Sequence, residues 1–424
     1  MTITPPAQQS PMFLLNAQYL PASRDWRTTG EKDSPFSVET FIREAQRAEA
    51  AGIDAFFQAD FSGVSRPNLR AGGPVTVFES FQMTALIAQA TSQIKVMPTV
   101  STMHTHPISF ARSLASLDRI SGGRAWINVV SSFRSGTGLG ATRTIPRERR
   151  HDQTAEFVDV AKRLWASWPP AANEPEPTLG RFIRDDMIGD LDHHGEFYDQ
   201  PGPIDMPPLS KDFPFMLQAT SSMEGLQLAA RTAEAVFAGT PTLGAAQQLR
   251  RILREETAQA GHNPDEMRLL PGAFIQIIDT QEEAELIAGA EQHRLNRIFS
   301  TSQAVAQFHA RHPALKLHNL APGDRLPTNV LPEDPDEVFT RHGSRYLPLW
   351  DLAHNQRLGT VGEFVAAAYS LGEHAHFAGT CEQITEQLIR WHTEGGVDGF
   401  QFILGTNFQA LCDRIVPAVL EGAR

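Results

Sequence analysis

The chain has 424 residues, 41% of them hydrophobic, a formal net charge of −12 and two cysteines. The acidic balance excludes a nucleic-acid backbone as the main ligand, since phosphodiesters select Lys and Arg. No run of ~18 apolar residues offers a membrane span, and Cys381 and Cys412 alone supply neither a disulfide framework nor a thiolate metal site. The polar, Pro-rich stretch from Met1 to Pro11 lacks the apolar centre of a signal peptide. A cytoplasmic protein with a substantial core is expected.

Taken in chain order, one pattern recurs: an amphipathic helix, a glycine or polar stop, then a short β-branched or aromatic strand. A first strand is expected over Met12–Gln18. Ser34-Pro35 reads as a helix start, Phe41, Ala45 and Ala48 follow at helical spacing, and Gly52 ends the helix. A buried strand, Ile53–Ala59, then delivers Asp60. The same sequence of helix and strand returns with Phe78–Thr91 and Ile94–Val100, and with Ile108–Ile120, Gly122-Gly123 and Arg124–Val130. It returns again with Met223–Thr232 and Ala235–Ala238, and with Glu382–Glu394, Gly395-Gly396 and Gly399–Leu404. Phe213–Gln218 and Leu269–Ile278 complete a set of eight strands. Such alternation predicts an α/β fold with a parallel sheet, and eight repeats over this length predict a (β/α)8 TIM barrel with insertions after strands 4 and 7. An open doubly wound sheet is the alternative, weakened by the lack of a Gly-x-Gly-x-x-Gly after the first strand.

The whole chain, 1–424, reads as one barrel domain. Segment 169–211, rich in Pro, Asp and Gly, is an excursion between strands 4 and 5. Segment 280–376 separates strands 7 and 8 and is far longer than an ordinary loop, which points to a lid over the active site or to an interface arm.

The expected strand ends present Asn16, Gln18, Asp60, Thr99, Ser101, Asn128, Ser131, Ser132 and Thr220-Ser221-Ser222. This ring of uncharged hydrogen-bonding groups with one carboxylate suits a planar heterocycle better than a metal, although any single member can simply cap a helix. Ser222 heads a helix whose first N–H groups form a phosphate site. Arg143, Arg147, Arg149 and Arg150 precede His151, as a phosphate contact or as a solvated cluster. His104 and His106, two apart, would share one face of a strand; without a companion carboxylate no metal site is expected. His193-His194 falls in the polar excursion and reads as exposed. No nucleophile elbow, phosphate-binding lysine loop or carboxylate pair stands out, so reactivity borrowed from a cofactor is the expectation.

At these residues the chain resembles the flavin-dependent monooxygenases of the bacterial luciferase-like group. The nearest branch is that of the nitrilotriacetate, EDTA, dibenzothiophene-sulfone and long-chain alkane monooxygenases. The resemblance rests on Ala51-Gly-Ile-Asp-Ala-Phe-Phe-Gln-Ala-Asp60, Phe78-Glu79, Pro98-Thr-Val-Ser-Thr102, Ala111-Arg-Ser-Leu-Ala-Ser-Leu-Asp118 and Ser121-Gly-Gly-Arg124. It continues through Asn128-Val-Val-Ser-Ser132, Leu164-Trp165, His194-Gly195, Gly202-Pro203, Gln218 to Gly225, Gly379-Thr380 and Asp398-Gly-Phe400. It implies the (β/α)8 barrel, reduced FMN taken from a separate NAD(P)H-dependent flavin reductase, O2, and a small organic substrate. Flavin contacts carry over to Asp60, Thr99, Ser132, Ser221 and Ser222. The family's phosphate-binding Tyr is His151 here, beside Arg150, and its usual His four residues earlier is Arg147. The Asn-Phe-Gly stretch after strand 4 is replaced by Ser135-Gly-Thr-Gly-Leu-Gly140. The resemblance names no general acid or base; His106 is the candidate by location. A homo-oligomer, dimer or tetramer, is expected. A deazaflavin-dependent hydride-transfer enzyme, a catalytically idle flavin-binding subunit and a flavin-free hydrolase or lyase are the competing readings.

Overall fold

The computed structural model describes residues 11–16, 37–60, 78–131, 145–220, 222–278, 280, 282, 302–343, 346–355, 358–371, 374–406 and 408–423. They fall into two compact units. One comprises Phe13–Ala219 with Arg231–Ala235; the other comprises Met1–Met12, Thr220–Ala230 and Val236–Arg424.

In the first unit the strands are β1 (Met12–Asn16), β2 (Ala55–Phe57), β3 (Lys95–Met97), β4 (Thr99–Ser101), β5 (Ile127–Val130) and β8 (Met216–Ala219). Pairing is parallel throughout: β1 with β2, β2 with β3, β4 with β5, and β5 with β8. The single strand expected at Ile94–Val100 is divided at Pro98, which has no N–H to give to a ladder. Helices α1 (Val38–Ala51), α2 (Ser80–Ala90), α3 (Pro107–Ser121) and α4 (Arg150–Ala166) separate the strands. Helix α1 starts at Ser37, whose Oγ accepts from Thr40 N at 3.3 Å, and ends at Gly52 in the left-handed region with φ 86°. The expected start at Ser34-Pro35 lies outside the described residues. Phe41, Ala45 and Ala48 are buried, as their spacing requires.

Carboxylates and one guanidinium close the entry side of this strand layer. Asp54 Oδ2 accepts from Phe13 N at 2.7 Å, and Glu234 Oε2 accepts from Met216 N at 2.7 Å. Glu49 Oε1 collects the N–H groups of Ser92, Gln93 and Ile94. Arg124 donates to the carbonyls of Ala88, Thr91 and Ile94 at the end of α2. For Glu49, burial opposes ionisation, but the three backbone N–H groups and Arg124 outweigh it and lower the pKa.

The excursion contains three 3₁₀ turns and a two-residue hairpin, β6 (His193–His194) with β7 (Asp199–Gln200). Its return is held by Asp118, 1% exposed on α3, which accepts from Leu209 N, Ser210 N and Ser210 Oγ at 2.7–2.9 Å. His193 corrects the expectation of exposure. Its side chain is only 12% exposed, with Nε2 3.1 Å from Glu156 Oε1 and Nδ1 3.0 Å from Arg163. Glu156 also accepts from Phe197 N and Tyr198 N, so the hairpin is fastened to α4. His194 is exposed, as expected.

In the second unit, α5 (Met223–Thr232), β9 (Ala235–Ala238) and α6 (Leu243–Gln259) precede the long β10 (Arg268–Ile277). Helices α7 (Ser302–Arg311), α8 (Pro335–His342), α9 (Leu347–His354) and α10 (Val361–Leu371) follow, with a core of their own that includes Phe308, Leu317, Val338, Tyr346 and Phe364. Then come β11 (Ala375–Gly379), α11 (Cys381–Gly395), β12 (Gly399–Thr406) and the C-terminal α12 (Val416–Gly422). β10 pairs in parallel with both β11 and β12. β11 was not expected from the sequence, and it begins inside the segment read as an insertion. Its alternation of Ala, His, Phe, Ala and Gly is too short and too mixed in polarity to stand out as a strand. Asp398, just before β12, accepts from Leu269 N at 2.7 Å and pairs with Arg250 at 2.8 Å. Burial raises the Asp398 pKa against the pull of Arg250.

Candidate active site

The end of β2, the start of β4 and the middle of β5 meet at one hydroxyl. Thr99 Oγ1 donates to Gln58 O at 2.8 Å and accepts from Asn128 Nδ2 at 3.0 Å. The direction of each bond follows from the groups available: the Gln58 carbonyl only accepts, so the threonine proton is used there, and Asn128 must present its NH2 to Thr99. This leaves Asn128 Oδ1 as a buried acceptor with no partner among the described residues, and Gln58 Oε1 is another. The three residues are 5%, 2% and 1% exposed for Thr99, Asn128 and Gln58. Leaving such acceptors without donors costs about 1–3 kcal/mol each.

Asp60 follows two residues after Gln58 and is half-buried. Sequence reasoning selected Thr99 and Asn128 but passed over Gln58. The signal was available: a Gln directly after the buried run Ala55–Phe57 continues a strand into the barrel with an amide.

Behind β4, Gln153 Nε2 donates to Thr102 O at 3.1 Å and to Tyr198 Oη at 2.7 Å. Thr102 and Thr154 share a 2.9 Å hydroxyl bond. These contacts hold the first turns of α4 against the end of β4, and so fix where Arg150 and the half-buried His151 stand. α4 opens without a side-chain cap, directly after the 3₁₀ turn Arg147–Arg149.

His106 is not on a strand. It is the N-cap of α3, with Nδ1 accepting from Ile108 N at 3.5 Å, and its ring meets Tyr198 edge-on at 5.4 Å. His104 lies in the turn before it, so the two do not share a strand face. Partial burial holds the His106 pKa below the ordinary imidazole value, which favours the neutral form that a cap acceptor needs.

In the second unit, Ser222 Oγ accepts from Gly225 N at 3.1 Å, so Ser222 caps the first turn of α5. Gly225 leaves room for the Thr220 hydroxyl, into which a Cβ would run. Thr220, Ser222 and Gly225 therefore make a tight strand-to-helix turn. Ser132 and Ser221 lie outside the described residues, as does the Ser135–Gly140 stretch. Among the described residues no group of three His, Cys, Asp or Glu side chains is arranged to hold a metal.

The sequence matches the family model for luciferase-like monooxygenases over residues 18–398. It is 29% identical to N-acetyl-S-(2-succino)cysteine monooxygenase of Bacillus subtilis (strain 168), over 93% of this chain and 88% of that one. It is 28% identical to nitrilotriacetate monooxygenase component A of Aminobacter aminovorans, over 86% and 81%. Among solved structures, a riboflavin lyase with modified FMN and riboflavin superposes with a TM-score of 0.73 at 24% identity, covering 97% of this chain and 92% of that one. The chain belongs to the luciferase-like monooxygenase family. Its fold is the α/β TIM barrel of that family, and it is an oxidoreductase of the monooxygenase type.

Proposed function

We propose that the protein is the oxygenase component of a two-component system. It takes reduced FMN from a separate NAD(P)H-dependent flavin reductase and uses O2 to oxygenate a small organic substrate. The observation that carries this reading is the pair of partnerless buried acceptors, Gln58 Oε1 and Asn128 Oδ1, around the Thr99 hydroxyl. Reduced isoalloxazine carries ring N–H donors of the kind these acceptors lack, so the residues fit the group. The "component A" in the name of the nitrilotriacetate relative supports a separate reductase.

Bound reduced flavin supplies the electrons that activate oxygen. The chain's own part is to bind, orient and exclude water. Asp60, Thr99 and Ser132 position the ring; His151, Ser221 and Ser222 take the phosphate, and Arg150 assists His151. Segment 169–211 and the part of 280–376 that precedes β11 extend the barrel as insertions, the second closing over substrate. The protein works in the cytoplasm as a homo-oligomer.

Anaerobic titration with reduced FMN, followed by mixing with oxygenated buffer, tests the reading. Saturable binding and a slow, substrate-accelerated return of the oxidised flavin spectrum are expected. No saturable binding removes the flavin assignment. Binding of reduced FMN with no response to oxygen removes the oxygenase and leaves a hydride-transfer enzyme or a flavin-holding subunit.

A further inference from the structure

The strand layer of the second unit has two faces of different character. On one, Phe377 meets Trp391 of α11 at 5.2 Å and Phe400 of β12 at 5.7 Å. Register partners in a parallel sheet share a face, so Ala273, Ala375 and Phe402 belong to this packed side. The opposite face carries Gly272 and Phe274 of β10, His376 of β11, and Gln401 and Ile403 of β12. In a (β/α)8 barrel the face turned from the helices is the interior one.

Aromatic and imidazole rings line this face. His374 stacks on Phe237 at 5.4 Å and lies 6.0 Å from Phe274, while His376 lies 5.1 Å from Phe274. β11 pairs only with Ala273–Ile277, the C-terminal half of β10, so the rings sit toward the end where barrel enzymes bind substrate. Gly272 is what admits the His374 ring, since a Cβ there would collide with its Nδ1. Beside Gly272 in register is Gln401, 0% exposed, with both amide atoms buried and no partner among the described residues. A half-exposed patch of rings alone describes hydrophobic packing. A buried amide with no partner among the described residues, in register with the glycine that seats one of those imidazoles, does not, because each polar atom costs free energy until a partner meets it.

We propose that His374, His376 and Gln401, with Phe237 and Phe274 beneath, form the substrate wall that receives a carboxylate-type anion. This rests on the oxygenase reading and adds the class of substrate. Imidazole N–H groups and the amide NH2 are donors, and no position of this face named above is acidic. The Phe faces favour a cationic ring above them, so an arriving anion and a proton on His376 reinforce each other. The aliphatic part of the substrate rests on the phenyl rings.

The test uses full-length protein labelled with ¹³C-histidine, loaded with FMN, and titrated with tricarballylate or its neutral triamide at constant ionic strength. The His376 ring signal, assigned by its loss in His376→Gln, is expected to shift saturably with the tricarboxylate and not with the triamide. His376→Gln weakens tricarballylate binding by about tenfold, and His376→Lys, which keeps a cation, retains it. FMN affinity, measured on the same samples, stays unchanged in both variants. Equal binding of acid and amide, or undiminished binding by His376→Gln, overturns the anion wall. Loss of FMN binding with carboxylate binding intact overturns the flavin reading instead.

Discussion

The entry side of the strand layers and the junction around Thr99 obey opposite rules. Where chains enter the strands, every named polar group is saturated: Asp54, Glu49, Arg124 and Glu234 in one unit, Asp398 with Arg250 in the other. Further along the strands, around Thr99, Gln58 and Asn128 keep acceptors without donors among the described residues. The first arrangement lowers the energy of the folded chain by itself. The second raises it until something binds. The contrast separates residues that hold the barrel from residues that use it, without reference to any ligand.

Substitutions in the two regions break or sharpen this contrast. The largest stability effect belongs to Asp398→Ala, which strands Arg250 and the Leu269 N–H; a loss of about 3–5 kcal/mol is expected in denaturant unfolding. Thr99→Val keeps the shape but removes the junction of Gln58 and Asn128. It should weaken reduced-FMN binding by about tenfold in an anaerobic titration, with a stability change of only about 1 kcal/mol. If Thr99→Val instead unfolds the protein while FMN affinity holds in the folded fraction, the division between the regions is wrong. Glu49 sharpens the point through pH. Its folded pKa is depressed, so its contribution is present above the usual carboxylate range and is lost as pH falls through the lowered value. Thermal melts between pH 3 and 7 should show a shallower acid-side fall for Glu49→Gln than for the native chain. His106 gives the smallest effect. Its lowered pKa means that stability is full above the ordinary imidazole value and declines as pH drops through it, and His106→Asn, still a cap, should remove that slope.

Most of the fold was legible because its joints are written locally. Ala51-Gly52-Ile53-Asp54 and Gly396-Val397-Asp398 each spell a left-handed helix stop, a buried residue and a carboxylate that catches the neighbouring strand. β11 escaped because nothing in His374–Gly379 alternates strongly enough. The site was half legible. Thr99 and Asn128 declared themselves as polar residues within buried runs, whereas Gln58 and Gln401 looked like ordinary strand residues until their unpaired amides were seen. His106 misled for the opposite reason: spacing suggested a strand face, but Pro107 starts a helix and turns the preceding residue into its cap.

Helices α7–α10 bury Phe308, Tyr346 and Phe364 among themselves, between the end of β10 and the start of β11. A connection with its own interior makes no demand on the strands it joins beyond the closure of its ends, a cost that grows only logarithmically with length, about 0.6 kcal/mol for each doubling. Such a graft can drift in sequence, lengthen or shrink while the strand registers at Ala273 and Ala375 stay as they are. Diversity among proteins of this architecture is then a matter of exchanging self-supporting connections between unchanged strands.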